Sequence, residues 1–312
     1  MPKIQVEKQH TLHGHRDCVY ALTEAEDIHC FYSAGGDGLV VRWDLRNTEQ
    51  GRVVAKVPTS IYAMHYSEES NLLVVGQNYE GIHVIDLNND HERGSLKLGK
   101  AAIFAIVTQD NYLWIATSEG NVLIIDRDTL TIKHQIRPTR ERARSLALNS
   151  EAQEIAVGFS DHTVRIFDTT TYQLKHTISG HTNSVFTATY SPNGQYLISG
   201  GRDAHLKVWD VRKNYQLTES IVAHMYAINH IDFSDDGQLF ATGSMDKSIK
   251  IWDACQFRLL KVIDKARHAG HGTSVNRVLW LPSSVTGERR GIVSASDDRT
   301  ISIWNLQESS LE

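Results

Sequence analysis

Three residue types that together could activate a nucleophile recur along this 312-residue chain at fixed spacing. Asp37, Asp203, Asp246 and Asp298 each stand six residues before a tryptophan, and Ser33, Ser199, Thr242 and Ser294 each stand ten before it. A histidine precedes each set: His15, His181, His224 or His271. An acid that orients an imidazole, and an imidazole that takes a hydroxyl proton, would make a hydrolase triad. One catalytic site needs one such trio. A fourfold recurrence at equivalent places marks architecture instead.

Other chemical signals are sparser. Sixteen histidines invite a search for metal ligands, but most are scattered and four already belong to the trios. The segments HERG (His91 to Gly94) and RHAGH (Arg267 to His271) stand alone and read as surface loops. No HExxH, CxxC, GxSxG or P-loop sequence occurs, so the usual zinc-hydrolase, α/β-hydrolase and nucleotide-binding signatures are missing. The sequence predicts a protein that is not an enzyme, with no metal and no cofactor. Its sharpest feature is IRPTRERARSL (Ile136 to Leu146), where Arg137, Arg140, Arg142 and Arg144 gather against one acid, Glu141. Guanidinium groups clamp carboxylates or phosphates through paired N–H donors. The competing reading is a solvated cluster that compensates acidic neighbours.

Composition bounds the remaining options. Hydrophobic residues make up 41% and charged residues 22%, an ordinary balance for a globular protein with a core. A formal net charge of −5 argues against a generally basic nucleic-acid binder. Cys18, Cys30 and Cys255 show no paired spacing, which fits a reducing compartment better than a disulfide framework. The opening MPKIQVEKQH lacks the apolar stretch of a signal peptide, and no run is long enough for a spanning helix. A cytoplasmic, membrane-free protein is expected.

A repeat positions these residues. The endings VVRWDL (Trp43), IHVIDL (Ile85), VLIIDR (Ile125), VRIFDT (Phe167), LKVWDV (Trp209), IKIWDA (Trp252) and ISIWNL (Trp304) follow one another at 42, 40, 42, 42, 43 and 52 residues. Within each copy, short runs rich in Val, Ile and aromatics alternate with turn signals such as GGDG (Gly35 to Gly38), SPNG (Ser191 to Gly194) and SDDG (Ser234 to Gly237). Such runs are strands, and no segment sustains a helical period. A period near forty residues suits a four-stranded blade.

The chain resembles the WD-repeat family, whose units carry Gly-His near the start and Trp-Asp near the end. Gly14-His15, Gly180-His181, Ala223-His224 and Gly270-His271 supply the first signal, each with an aliphatic residue four positions after the His (Val19, Val185, Ile228 and Val275). The resemblance implies an all-β fold: a single seven-bladed β-propeller of four-stranded antiparallel blades, occupying residues 1–312. It also implies four Asp–His–Ser/Thr–Trp hydrogen-bond tetrads: Asp37/His15/Ser33/Trp43, Asp203/His181/Ser199/Trp209, Asp246/His224/Thr242/Trp252 and Asp298/His271/Ser294/Trp304. Each repeat of the family is offset from its blade. An N-terminal strand at about residues 4–12 is therefore expected to complete the blade containing residues about 275–306.

The pattern breaks in repeats 2, 3 and 4, which lack the Gly-His signal and the tryptophan. Tyr79, Glu119 and Asp161 take the Asp position, and Val75, Ile115 and Val157 the hydroxyl position. Apolar packing must replace the tetrad there, with Asp161 capping its own turn. Arg42, where other repeats place Val or Ile, reads as a side chain reaching to solvent. Extra length falls in LPSSVTGERRG (Leu281 to Gly291), a polar hairpin loop, and in DKARHAGHG (Asp264 to Gly272).

Propellers of this family present the loops before each first strand, and the turns between second and third strands, on one face. The candidate contacts there are Arg16, Arg140, Arg142, Arg202, Met225, Tyr226, Met245 and Arg267. Arg, Tyr and Met are over-represented at interface cores. The function implied is a non-catalytic scaffold or adaptor that binds a protein or peptide through one face. The alternative is nucleic-acid or phosphorylated-ligand binding through the arginine-rich rim. Tyr20, Tyr62, Phe104 and Phe186 share one inner-strand position and read as packing between blades rather than as a channel-lining ring.

Overall fold

The computed structural model describes residues 3–282 and 290–309, and the expected Leu281 to Gly291 hairpin loop falls mostly outside them. Seven four-stranded antiparallel sheets follow one another along the chain. Their inner strands are Val19–Glu24, Ile61–Ser67, Ile103–Gln109, Ala143–Asn149, Val185–Tyr190, Ile228–Phe233 and Val275–Leu281. Each inner strand packs against the next, and the seventh returns to the first, which closes the ring as a seven-bladed propeller.

Closure uses the two ends of the described chain. Strand Lys3–Leu12 pairs antiparallel with Ile301–Ser309, aligning Leu12 with Ile301 and Lys8 with Trp304. It supplies the outer strand of the seventh blade, whose other three strands come from residues 275–309. Ile4 and Leu12 are buried there. The pairing covers the edge that Ile301–Ser309 would otherwise expose.

The second strands explain why the sheets stack. Cys30–Gly35, Leu72–Gln77, Glu154–Phe159 and Leu239–Ser244 are buried at every residue. Strands covered on both faces need continuous apolar or small residues rather than alternation. Small residues admit the neighbouring blade. A Cβ on Gly76 would lie 2.9 Å from Ile103 Cγ2, and one on Gly243 would lie 2.9 Å from Val275 Cγ1. Ile103 and Val275 are themselves fully buried, so a larger residue at either glycine would force adjacent blades apart.

Every inner strand carries the same irregularity. The pairing with the second strand skips one residue after the first aliphatic, as between Val19 and Ala21 or between Val275 and Arg277. The skipped residues are Tyr20, Tyr62, Phe104, Arg144, Phe186, Asn229 and Asn276. A bulge re-aims the side chain of its extra residue. Here the bulge repeats seven times around the ring.

One local expectation changes and one is met with an addition. Arg42 does not simply reach into solvent: its Nε donates to Glu26 Oε1 at 2.7 Å, and Tyr32 Oη donates to Glu26 Oε2 at 2.7 Å. A carboxylate from the loop between the first two strands of blade 1 makes the charge tolerable. Asp161 accepts from Thr163 N–H and Oγ1 and so caps its turn, and it also pairs with Arg165 at 2.8 Å.

Candidate functional site

The four tetrads set the loops of one face. In blade 5, Trp209 Nε1 donates to Ser199 Oγ at 2.8 Å, Ser199 Oγ lies 2.7 Å from His181 Nε2, and His181 Nδ1 lies 2.9 Å from Asp203. Blades 1, 6 and 7 repeat this chain through Ser33, His15 and Asp37, through Thr242, His224 and Asp246, and through Ser294, His271 and Asp298. The indole can only donate, so the hydroxyl accepts from it and offers its own proton to Nε2, leaving Nδ1–H for the carboxylate. None of these hydroxyls points toward a cavity where a substrate could sit, because Ser33, Ser199, Thr242 and Ser294 are fully buried.

Each tetrad carboxylate reaches one step further. It accepts a backbone N–H from the residue after its histidine: Arg16, Thr182, Met225 or Gly272. The conformation of the loops that carry Arg16 and Met225 is thus fixed from below. Burial opposes the charge on Asp203, but the hydrogen bonds from His181 and Thr182 outweigh it and hold the pKa down at about 2. The same balance, with histidine as the partner, lowers Asp246 and Asp298.

A central channel of about 830 Å³ opens between the inner strands, and all seven bulge residues line it. The sequence reading that placed Tyr20, Tyr62, Phe104 and Phe186 in the packing between blades is corrected here. Their extra-residue position turns them off the blade faces and into the channel. They still touch across blade boundaries. Tyr20 meets Tyr62 edge-on at 4.9 Å, and Tyr62 stacks on Phe104 at 6.1 Å. The Arg144 guanidinium lies 4.6 Å from the ring centre of Phe104 and 5.1 Å from that of Phe186. Asn229 and Asn276 complete the ring by hydrogen-bonding to the blade that follows them, at Val275 O and Val19 O. The ring is therefore an aromatic and cationic arc over blades 1 to 5 and an amide arc over blades 6 and 7.

Deeper in the channel, blades 6 and 7 contribute His230, Asp232 and Arg277. Burial raises the Asp232 carboxyl to about 7, although Trp280 N–H donates to it. Burial lowers His230 well below the usual imidazole range, and Arg277 to about 10. Arg277 has no hydrogen-bond or ion-pair partner among the described residues. The sequence reading missed it, since nothing in the string VNRVLW shows which way an arginine points.

The predicted contacts fall into three groups. Arg142 and Arg202 stand around Arg144 at the channel mouth, close enough that their charges help to lower its pKa to about 10 after burial has done most of the work. Arg140 is exposed on the same approach loop. Met225, Tyr226 and Met245 gather on blade 6, where Met245 N–H donates to Ala227 O and Ser244 Oγ to Tyr226 O. Arg16, on blade 1, and Arg267 are separate. Arg267 sits in the short helix Lys265–His268 and gives both Nε and Nη2 to Asp264. Its charge is already spoken for, unlike that of Arg140, Arg142 and Arg202, which have no carboxylate partner among the described residues. Among those residues no group of three His, Cys, Asp or Glu side chains could hold a metal ion, and no helix is long and apolar enough to cross a membrane.

Comparison with known proteins fits this geometry. The family description "WD domain, G-beta repeat" matches residues 6–44, 172–210, 215–253 and 264–305, just over half of the chain. Those are the four repeats with complete tetrads. The WD repeat-containing protein srw1 of Schizosaccharomyces pombe is 27% identical over 65% of this chain and 38% of its own length. Transducin beta-like protein 3 of Bos taurus is 24% identical over 65% and 27%, and a striatin homolog of Dictyostelium discoideum 22% over 64% and 21%. The chain spans between about a fifth and two-fifths of the length of these curated relatives. Propellers of this kind are generally non-catalytic and bind protein partners. The repeat motif, its four tetrads and the closed ring of seven blades place the chain in the WD-repeat family.

Proposed function

We propose that the protein is a non-catalytic scaffold that binds a protein or peptide through the face carrying Arg16, Arg140, Arg142, Arg202, Met225, Tyr226, Met245 and Arg267. One observation carries the reading. Met225, Tyr226 and Met245 are 81%, 61% and 51% exposed and form one patch, held in place by the Asp246 tetrad. Large apolar side chains clustered on a surface cost solubility and mark interaction sites. The unpaired arginines at the channel mouth add a charge preference, so the segment bound pairs an apolar anchor with acidic residues. Three unpaired thiols support a reducing compartment.

A random peptide display library panned against the full chain tests this. Enriched sequences should combine aromatic or aliphatic residues with Asp or Glu, and a Met225→Asp, Met245→Asp variant should lose them. Enrichment of basic peptides, or binding unchanged in the variant, would overturn the choice of face. Tight binding of random oligonucleotides that weakens steeply with salt would favour a nucleic-acid partner instead.

A further inference from the structure

We propose that Arg142, Arg144 and Arg202 form a binding site for a phosphate group at the mouth of the central channel. The proposal takes its face from the partner-binding reading and assigns the chemistry recognised there.

Chain connections place the three arginines together and fix their spacing. Ser160 N–H donates to Arg142 O at 2.9 Å, and Arg144 Nε donates to Ser160 Oγ at 3.0 Å. Ser184 Oγ reaches Ser160 O at 3.4 Å, and Arg202 N–H donates to Ser184 O at 2.9 Å. Two serines thus link the residues of blade 4 to the turn of blade 5. Arg144 is the anchor. Phe104 and Phe186 flank its guanidinium, and Ser160 takes its Nε–H. Arginine held flat by aromatic faces loses little freedom when it accepts an anion.

Nothing in the protein neutralises this group. No carboxylate lies within ion-pair distance of Arg142, Arg144 or Arg202 among the described residues, whereas Arg42, Arg46, Arg52, Arg93, Arg165 and Arg267 all have one. The acids lining the channel, Glu24 and Asp232, belong to blades 1 and 6. Burial raises the pKa of both, and the cation that acts on Asp232 is Arg277 of blade 7, not a member of the arginine group. Like charges gathered without a counter-ion stay together at a cost that an anion removes. Three guanidiniums match a phosphate better than a carboxylate, since phosphate carries nearly two charges and three acceptor oxygens. The channel beyond them has room for the group that bears it, with Tyr62 and Phe104 as a stacking wall.

The phosphate could be part of a small molecule or of a modified side chain, and titration of the full chain separates the two. The probes are phenyl phosphate, a degenerate phosphotyrosine peptide mixture and its unphosphorylated counterpart, with benzoate as the carboxylate control. Phenyl phosphate should bind at least tenfold more tightly than benzoate, and both Arg144→Gln and the Arg142→Gln, Arg202→Gln double variant should weaken it at least tenfold. The double variant alters exposed side chains only, so it keeps the test alive if Arg144→Gln unfolds. Phosphopeptides that bind more tightly than phenyl phosphate would assign the site to a modified partner, and equal or weaker binding to a free metabolite. Phenyl phosphate affinity unchanged in the double variant, or no better than that of benzoate, would overturn the proposal. The Met225→Asp, Met245→Asp variant should keep phenyl phosphate binding, which separates failure of the partner-binding reading from failure of this one.

Discussion

In blade 5 the space beside Trp209 is filled by Ser199, His181 and Asp203, each bonded to the next. In blade 3 the corresponding residues are Ile115 and Ile125, packed with Ile103, Leu113 and Leu123, and in blade 4 Val157 and Phe167. Both solutions give a four-stranded sheet with the same bulge in its inner strand. The tetrad is thus one self-consistent filling and the apolar cluster another. A buried polar network is worth keeping only when every member is satisfied. Mixtures should therefore fail in either kind of blade. The three blades without the tetrad also supply Tyr62, Phe104 and Arg144, the centre of the aromatic and cationic arc.

The largest expected effect comes from undoing the closure that both kinds of blade share. Removal of strand Lys3–Leu12 strips Ile4 and Leu12 from the core and frees the edge of Ile301–Ser309. At about 2 kcal/mol for each buried aliphatic side chain, plus the lost ladder, the cost is on the order of 5 kcal/mol or more. Guanidinium denaturation should show a much earlier midpoint, and a trimmed chain that melts like the intact one would mean the ring does not depend on its ends.

Acid should separate the two kinds of blade next. Asp203, Asp246 and Asp298 have folded pKa values below the unfolded value near 3.9. Their stabilisation is complete above about pH 5 and disappears as pH falls through the folded values. For Asp203 this is on the order of 2 kcal/mol, and the three groups together make the loss steep from about pH 4 downward. His224, lowered by burial despite Asp246, loses stabilisation as pH falls below its unfolded value. Hydrogen exchange at pH 3 should therefore open blades 5, 6 and 7 before blades 2 and 3. Uniform exchange around the ring would remove the electrostatic distinction.

Mixing the two chemistries tests the central claim. Ser199→Val should strand the His181 imidazole and the Trp209 N–H and cost about 3 kcal/mol. Val157→Ser in blade 4 should cost about 2 kcal/mol, because a hydroxyl takes the place of an apolar side chain in a buried hydrophobic cluster. Urea melts of both variants decide it: if either were neutral, the two fillings would be interchangeable residue by residue.

The smallest effect compares one aspartate in two settings. Asp161 caps a turn and pairs with Arg165, while Asp203 does the turn work and also holds His181 and the Thr182 N–H. Asp161→Asn should cost less than Asp203→Asn by about 1 kcal/mol. Equal costs in chemical denaturation would mean that the histidine contact adds nothing to the cap.

Much of this was legible in the string of residues. Trp209, Ser199 and Asp203 sit at offsets that recur in four hairpins, and the histidine stands 28 residues before the tryptophan in three repeats and 33 before it in the last, so a repeated local geometry announced itself. The aromatic position was visible as well, through Tyr20, Tyr62, Phe104 and Phe186, but its direction was not. Alternation along a strand gives the side-chain face only until a bulge shifts it, and the skipped residue after Val19 or Ile61 leaves no mark in the sequence. Arg42 illustrates the same limit, because its partner Glu26 lies in the loop between the first two strands of the blade, sixteen residues back.

The string of residues carried the number of blades and the membership of the tetrads, because both depend on offsets copied around the ring, while closure by the first strand followed from the family resemblance. Tertiary structure alone decided which arginines keep a free charge. Arg42 is neutralised by Glu26 across a loop, Arg277 faces an open channel, and Arg142, Arg144 and Arg202 meet only because blades 4 and 5 adjoin. Coulomb interactions follow distance and dielectric, and neither can be counted along a chain.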